Sequence, residues 1–144
     1  MNSLLKRTHN IRRRDRDVKR GNFCRVLAEL RHKDMLVIGD AGLPIPKGVE
    51  RVDLGWKAGS PGYLEVLEEI LKAITVEEAV FANEALSVTP EFHEKAKALL
   101  PEDLPVSYVP HTELKEISAK AKAIVLTGEF TGYTNVVLVC GCAY

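Results

Sequence analysis

The sequence of 144 residues predicts one α/β domain, built on a sheet of mostly parallel strands with helices packed on both faces. Two observations support this fold class. Apolar runs of strand length alternate with segments of helical periodicity, and several runs are apolar throughout, as expected of strands covered on both faces. The composition, 46% hydrophobic and 28% charged, is that of an ordinary globular domain.

The first predicted elements lie between residues 23 and 74. Residues 23–30 carry apolar side chains at the spacing of a helix face, and residues 35–38 form an apolar run of strand length. A second strand is predicted over residues 49–54. Ser60 followed by proline resembles an N-cap and the first position of a helix, which the apolar periodicity then extends to residue 74.

The remaining elements alternate in the same way. Thr89 and Pro90 repeat the cap-and-proline signal and open a helix that is predicted to end at residue 100. Thr112 is expected to cap a further helix, which ends at residue 121. Strands are predicted over residues 78–82, 106–109, 123–126 and 135–140.

Residues 1–20 differ in charge from the rest of the chain. They contain eight basic and two acidic residues, whereas the other 124 residues carry 12 basic and 18 acidic ones. Because this segment holds few large aliphatic side chains, we expect a flexible basic arm before a single domain of residues 21–144. A solvated tail is favoured over a nucleic-acid or membrane arm, and the zero net charge of the whole chain disfavours a dedicated nucleic-acid binder.

The cysteines indicate a reducing compartment rather than a disulfide framework. Three cysteines cannot form a complete set of bridges, so a cytoplasmic location is expected. Cys140 and Cys142 could hold a metal together with histidines, but the sequence has no second cysteine pair, and buried thiols are the favoured interpretation. No metal or cofactor is predicted. His9 and His93 are interpreted as tail and surface-helix residues.

Unusual polar residues are concentrated in the predicted loops. Asp40 directly follows the first strand, and the carboxyl ends of parallel strands are where open α/β sheets bind ligands. His32 precedes that strand, and His111 lies at the start of a predicted helix. If residues 133–135 are extended, Tyr133 and Asn135 point the same way and suit a polyhydroxylated ligand. Each of these residues taken alone is more commonly structural.

Together, these loops resemble the D-ribose pyranases, which are relatives of the fucose mutarotases. The resemblance runs from about residue 25 to residue 144. The run Asp-Ala-Gly-Leu-Pro-Ile-Pro at residues 40–46 is too specific for a chance match and favours the ribose branch. The other matching stretches are His32-Lys33-Asp34, Val109-Pro110-His111 with Lys115, Thr127-Gly128-Glu129-Phe130 and Tyr133-Thr134-Asn135.

The resemblance implies an isomerase that converts ribopyranose to ribofuranose, the form that a ribokinase can use, without a cofactor. In that family the residue matching His32 is the proton donor. The sugar is held by the residues matching Asp40, His111, Tyr133 and Asn135, and Lys115 is a weaker candidate for the same role. A fucose-type mutarotase and a non-catalytic sugar-binding or regulatory protein are the alternatives.

The implied chemistry suits the residue types present. Changing the ring size requires an acid and a base, and histidine can serve because its pKa lies near neutrality. The amino end of a helix favours the neutral form of His111. For His32 the preceding helix and Asp34 oppose Arg31 and Lys33, so the direction of the effect stays open.

An assembly of several subunits is also expected. The resemblance implies a ring-shaped homo-oligomer, commonly a decamer, and a domain of about 120 residues offers few deep clefts of its own. The chain ends on an apolar strand, which would need burial if it formed a sheet edge. We therefore hypothesise that Tyr133 and Asn135 complete a site whose His32 and Asp40 belong to the next subunit.

Overall fold

The computed structural model describes residues 21–142. The predicted basic arm, His9, and the terminal residues 143 and 144 lie outside this range. The six strands are β1 (Met35–Gly39), β2 (Glu50–Asp53), β3 (Val76–Ala82), β4 (Val106–Val109), β5 (Ala123–Leu126) and β6 (Val136–Cys140). The helices are α1 (residues 21–29), α2 (Tyr63–Ala73), α3 (Glu84–Val88), α4 (Pro90–Ala98) and α5 (His111–Ser118).

The strands form one six-stranded sheet in the order β2-β5-β1-β6-β3-β4. All neighbouring pairs are parallel except those of β6, which runs antiparallel to β1 on one side and to β3 on the other. The predicted fold class, a mostly parallel sheet, is therefore confirmed. The last strand lies in the middle of the sheet, not at an edge, so its apolar side chains are buried within the domain.

The sheet is covered on both faces, because successive strand residues point to opposite sides. In β1, Leu36 and Ile38 pack into one apolar core, and Val37 packs into the other. Helices α1, α2 and α4 contribute to the core that contains Leu36, and Leu114 of α5 contributes to the second core. This two-sided burial explains why the central strands β1, β5 and β6 are apolar runs rather than alternating ones.

Several local predictions were wrong. Helix α2 begins at Tyr63 with Gly62 at the N-cap, so Ser60 does not cap it. Helix α5 begins at His111, one residue before the predicted cap Thr112, and it ends at residue 118 instead of 121. Helix α3 was not predicted, because five residues that include the exposed Leu86 and Val88 show no helical periodicity.

His93 is buried rather than on a helix surface. Its side chain is 3% exposed, and Nε2 lies 2.8 Å from the hydroxyl of Tyr108. The ring of Phe81 contacts it edge-on at a centroid distance of 4.7 Å. Burial lowers the pKa of His93, which keeps the imidazole neutral in the core.

In the described part of the chain, none of the helices combines the length and the apolar content needed to cross a bilayer.

Candidate functional site

Four of the predicted site residues lie at one end of the sheet. Asp40 follows β1, and His111 follows β4 by two residues and is the first residue of α5. Asn135 directly precedes β6, which is antiparallel, so its amino end meets the carboxyl ends of its parallel neighbours. The topology therefore brings together residues that are 95 positions apart in sequence. We call Asp40, His111, Tyr133 and Asn135 the carboxyl-end cluster.

Asp40 and Asn135 are in direct contact. The backbone N–H of Asp40 donates to Oδ1 of Asn135 at 3.0 Å, and Asn135 is 1% exposed. The Asp40 carboxylate accepts the N–H of Gly42 at 3.0 Å, which closes a tight turn after β1. Burial raises the pKa of Asp40, while the Gly42 N–H and nearby His111 partly oppose that increase. A half-buried carboxylate is thus held at the end of the strand.

His111 and Tyr133 form the second half of the cluster. Their rings meet edge to face, with centroids 5.2 Å apart and planes at 90°. The backbone N–H of His111 donates to both carboxylate oxygens of Glu84, at 3.1 and 3.2 Å. A carboxylate at the amino end of a helix is stabilised there, so Glu84 fixes the first turn of α5 and with it His111. No pattern in the sequence indicated this role of Glu84.

The backbone of Tyr133 is not extended, so the condition under which Tyr133 and Asn135 would point the same way is not met. Its φ is +60°, in the left-handed region that costs a non-glycine residue about 1–2 kcal/mol. Strict alternation therefore does not place Tyr133 beside Asn135. The turn is held instead by Thr134, whose hydroxyl donates to the carbonyl of Thr131 at 2.7 Å. Strained backbone of this kind is common where a side chain must be held at a functional site.

Glu129 organises the loop that carries Tyr133. One carboxylate oxygen accepts the N–H of Tyr63 at the start of α2, and the other accepts the hydroxyl of Thr131 at 2.8 Å. Its backbone carbonyl accepts the N–H of Ala41, next to Asp40. Glu129 thereby joins three segments behind the cluster. In the sequence, Glu129 is noticed only as part of the stretch at residues 127–130.

Several polar atoms at this end of the sheet are buried and have no hydrogen-bond partner among the described residues. They are Nδ1 of His111, Nδ2 of Asn135, the hydroxyl of Tyr63 and the hydroxyl of Thr89. An unpaired buried polar group costs about 1–3 kcal/mol, so such a concentration is unusual for a purely structural region. Asn135, Tyr63 and Thr89 also line one small pocket. Buried polar atoms at and beside the carboxyl-end cluster therefore retain unused hydrogen-bonding capacity.

Lys115 is not part of the contacts of the carboxyl-end cluster described above. It is exposed and lies four residues after His111, on the same side of α5.

His32 lies at the opposite end of β1. The five residues of that strand separate the backbones of His32 and Asp40 by at least about 13 Å. Nε2 of His32 lies 3.0 Å from a carboxylate oxygen of Glu77 on β3, and the ammonium group of Lys33 contacts the other oxygen. Asp34 accepts the backbone N–H of Arg31 instead of facing His32. The hypothesis that grouped His32 with Asp40 was therefore wrong, because Asp40 belongs with Tyr133 and Asn135.

The thiols do not form a shared site. Cys140 is 3% exposed, and burial raises its pKa to about 11, whereas Cys142 is exposed. The prediction of a buried thiol is thus confirmed for Cys140 alone. Within residues 21–142, no group of three or more histidine, cysteine or acidic side chains could hold a metal ion.

Comparison with known proteins adds the family to this geometry. An α/β sheet with polar groups gathered at its carboxyl end is the arrangement of a small-molecule binding protein or enzyme. The chain belongs to the RbsD / FucU transport protein family, whose profile matches residues 20–143. This confirms the resemblance seen in the sequence.

Individual relatives agree with this assignment. The D-ribose pyranase of Laribacter hongkongensis is 47% identical over 119 residues, and that of Symbiobacterium thermophilum is 50% identical over 119 residues; each match covers 83% of this chain and 90% of the relative. The structure of Bacillus subtilis RbsD complexed with D-ribose has a TM-score of 0.82 and 34% identity, covering 85% of this chain and 93% of that one. The fucose mutarotase of Streptococcus pneumoniae shares the fold at 22% identity and a TM-score of 0.70.

Proposed function

We propose that this protein is a D-ribose pyranase, an isomerase that interconverts β-D-ribopyranose and β-D-ribofuranose. The observation that carries the proposal is the carboxyl-end cluster in a chain about half identical to curated D-ribose pyranases. Carboxylate, imidazole, phenol and amide groups offer complementary partners for the hydroxyls of a pentose. In this proposal the sugar is held by Asp40, His111, Tyr133 and Asn135, and Lys115 adds a contact from α5.

His32 is the proton-transfer residue in this proposal. In ring opening, the anomeric hydroxyl loses its proton, the bond between C1 and the ring oxygen breaks, and that oxygen gains a proton. In ring closure, a different hydroxyl attacks C1 and loses its proton, while the carbonyl oxygen gains one. Imidazole can give and take these protons near neutral pH, so we propose that no metal is needed.

The site is completed between subunits of a homo-oligomer. A sugar on the carboxyl-end cluster lies too far from His32 of the same chain, so the proton-transfer residue comes from another copy. Trp56 and Phe130 are 69% and 73% exposed, and large aromatic side chains of this kind are enriched in protein interfaces. A ring, commonly a decamer in the family that the sequence resembles, is the proposed assembly. A cytoplasmic location is part of the same proposal.

NMR exchange spectroscopy of D-ribose tests the function. Catalytic amounts of the protein should accelerate magnetisation transfer between the ribopyranose and ribofuranose signals, and treatment with EDTA should leave the rate unchanged. L-Fucose, tested in the same way, identifies a fucose-type mutarotase by faster exchange of that sugar. Ribose exchange that matches a protein-free control, with ribose still bound, would identify a sugar-binding or regulatory protein instead.

A further inference from the structure

Glu77 connects two side chains of the turn before β1. Its Oε2 lies 3.0 Å from Nε2 of His32, and its Oε1 contacts the ammonium group of Lys33. About half of the His32 side chain is exposed, 51%, whereas Glu77 is 30% exposed. Both oxygens of one carboxylate are therefore engaged by neighbouring residues of the same turn.

A β-bulge directs Glu77 toward this turn. Val76 pairs with Cys140 and Glu78 pairs with Val139, so Glu77 is an extra residue on β3 without a register partner on β6. Bulges change the direction of side chains and are frequent next to active sites. Gly141 lies against the bulge, and a Cβ added to it would be 3.4 Å from Cβ of Glu77. The irregularity thus serves to place one carboxylate.

The backbone that carries His32 is fixed by hydrogen bonds. Lys33 has a φ of +75°, and its N–H donates to the carbonyl of Cys140 at 2.8 Å. The N–H of Asp34 donates to the carbonyl of Arg31 at 2.9 Å, and the N–H of Arg31 donates to the carboxylate of Asp34 at 2.8 Å. With the backbone held in this way, the hydrogen bond to Glu77 selects the orientation of the half-exposed imidazole.

The charge of Glu77 determines which nitrogen of His32 carries a proton. The hydrogen bonds from Lys33 and then from His32 lower the pKa of Glu77, so it is ionised near neutrality. An ionised carboxylate only accepts hydrogen bonds. Nε2 of His32 must therefore donate, and in the neutral imidazole Nδ1 is the nitrogen with the free lone pair.

We propose that Glu77 is a positioning residue that holds His32 in the Nε2–H tautomer, so that Nδ1 is the atom that exchanges protons with the sugar. This role rests on the proposed function of His32. In ring opening, Nδ1 takes the proton of the anomeric hydroxyl and returns it to the ring oxygen as the C1–O bond breaks. In ring closure, Nδ1 takes the proton of the attacking hydroxyl and gives it to the carbonyl oxygen, so His32 ends as the same neutral tautomer. Glu77 keeps the same hydrogen bond throughout, and Lys33 holds its second oxygen.

The Glu77→Gln variant tests this role, because its amide should reverse the tautomer. Lys33 requires an oxygen as its acceptor, so the amide NH₂ group turns toward His32 and makes Nε2 an acceptor. We expect kcat for ribose exchange to fall at least about tenfold, with KM within about twofold of the wild-type value. Glu78→Gln is the matched control, since it removes the same charge from the next residue of β3, and it should keep the wild-type kcat.

Nitrogen-15 spectra of the histidine rings give a second measurement that does not depend on activity. Solid-state NMR of the ring-labelled protein, with His32 identified by the signals lost in His32→Asn, should show neutral His32 as Nε2–H in the wild type and in Glu78→Gln. Glu77→Gln should show Nδ1–H. A wild-type His32 in the Nδ1–H form overturns the proposal, and so does a Glu77→Gln variant with an unchanged tautomer and kcat.

The two measurements separate this inference from the proposed function. If the wild-type protein does not exchange ribose, the proposed function fails, while the nitrogen spectra still decide whether Glu77 sets the tautomer. If circular dichroism shows that Glu77→Gln does not fold, the wild-type spectrum alone decides, because an Nδ1–H form contradicts the hydrogen bond on which the proposal depends.

Discussion

At the scale of single residues, the proposed proton-transfer and sugar-binding residues lie at opposite ends of β1. His32 lies before the strand with Glu77 and Lys33, and Asp40 lies after it with Asn135. The surroundings of the two ends differ accordingly. His32 is half exposed on a turn fixed by backbone hydrogen bonds, whereas Asn135 is buried and its amide nitrogen has no hydrogen-bond partner within residues 21–142. An exposed imidazole can approach a neighbouring molecule, and a buried amide can only receive a ligand that enters its pocket.

Replacement of His32 tests its assignment as the proton donor. His32→Ala removes general acid–base help, which contributes about 10²–10⁴-fold, so ribose exchange should slow by that factor. His32 supports no core packing, and the fold should stay intact by circular dichroism. His93 is buried, so His93→Ala would disturb the core and is not a suitable control. A slowdown below about tenfold would assign the proton transfer to another residue.

Asp40 is expected to serve sugar binding at some expense of stability. Burial raises its pKa in the fold, so its contribution to stability is fully present below the unfolded pKa of about 3.8 and is lost as pH rises through the folded pKa. Asp40→Asn keeps an oxygen for the Gly42 N–H and removes the buried charge. The difference in free energy of unfolding, Asp40→Asn minus wild type, should therefore be more positive at pH 7 than at pH 4.

The same variant should lose activity. A hydrogen bond to a charged group contributes about 1.5–3 kcal/mol, so kcat/KM for ribose exchange should fall roughly 10–100-fold. Asp53 closes a similar turn after β2 by accepting the N–H of Gly55, and Asp53→Asn should leave the exchange near the wild-type rate. Thermal unfolding at the two pH values and exchange kinetics measure both effects. A fully active Asp40→Asn variant whose stability relative to the wild type is lower at pH 7 than at pH 4 would contradict this account.

At the scale of elements, the sequence predicts the strands well and the loops less well. All six strands lie within the predicted segments or within two residues of them. Strands buried on both faces, such as β1, β5 and β6, leave continuous apolar runs in the sequence. The position of Asp40 at the carboxyl end of β1 follows from its place directly after that strand in the sequence. The left-handed Tyr133 was not predicted, because the hydrogen bond from Thr134 to Thr131 that holds this turn leaves no periodic pattern in the sequence. Glu77 was also missed, because a bulge depends on the register between β3 and β6 and leaves no local pattern.

The contact between the loops of residues 54–62 and 127–135 gives a prediction at this scale. Gly128 donates its N–H to the carbonyl of Pro61 at 2.8 Å, and a Cβ added to it would lie 2.6 Å from the backbone nitrogen of Ser60. Backbone cannot move aside easily, so Gly128→Ala should destabilise the fold by about 1–3 kcal/mol. Urea denaturation measures this change.

Gly132 provides the matched control for this contact. It lies in the same loop, and an added Cβ would meet nothing within 4 Å. Gly132→Ala should therefore unfold at the wild-type urea concentration. Equal midpoints for the two alanine variants would show that the loops do not press against each other at Gly128.

At the scale of the whole molecule, the family match begins at residue 20, where the predicted basic arm ends. We expect the arm to be dispensable, because it contributes six net positive charges and few apolar side chains. A chain that starts at residue 21 should fold and exchange ribose like the full-length protein, as measured by circular dichroism and NMR. Loss of folding or of activity would show that the arm packs into the domain.

The proposed assembly is inferred from the distance between the two parts of the proposed site. In this proposal, one chain carries both the sugar-binding cluster and the proton-transfer turn, but at opposite ends of the sheet. At an interface, the cluster of one copy can meet the proton-transfer turn of another. A monomer in light scattering would exclude such a shared site.

Mixing two inactive variants tests the shared site most directly. His32→Ala retains the cluster and loses the proton-transfer group, whereas Asn135→Ala retains the proton-transfer group and loses part of the cluster. After the two are co-assembled, with mass spectrometry verifying mixed oligomers, some sites receive both intact parts, and ribose exchange should return in part. Verified mixed oligomers that exchange ribose no faster than either variant alone would contradict the account.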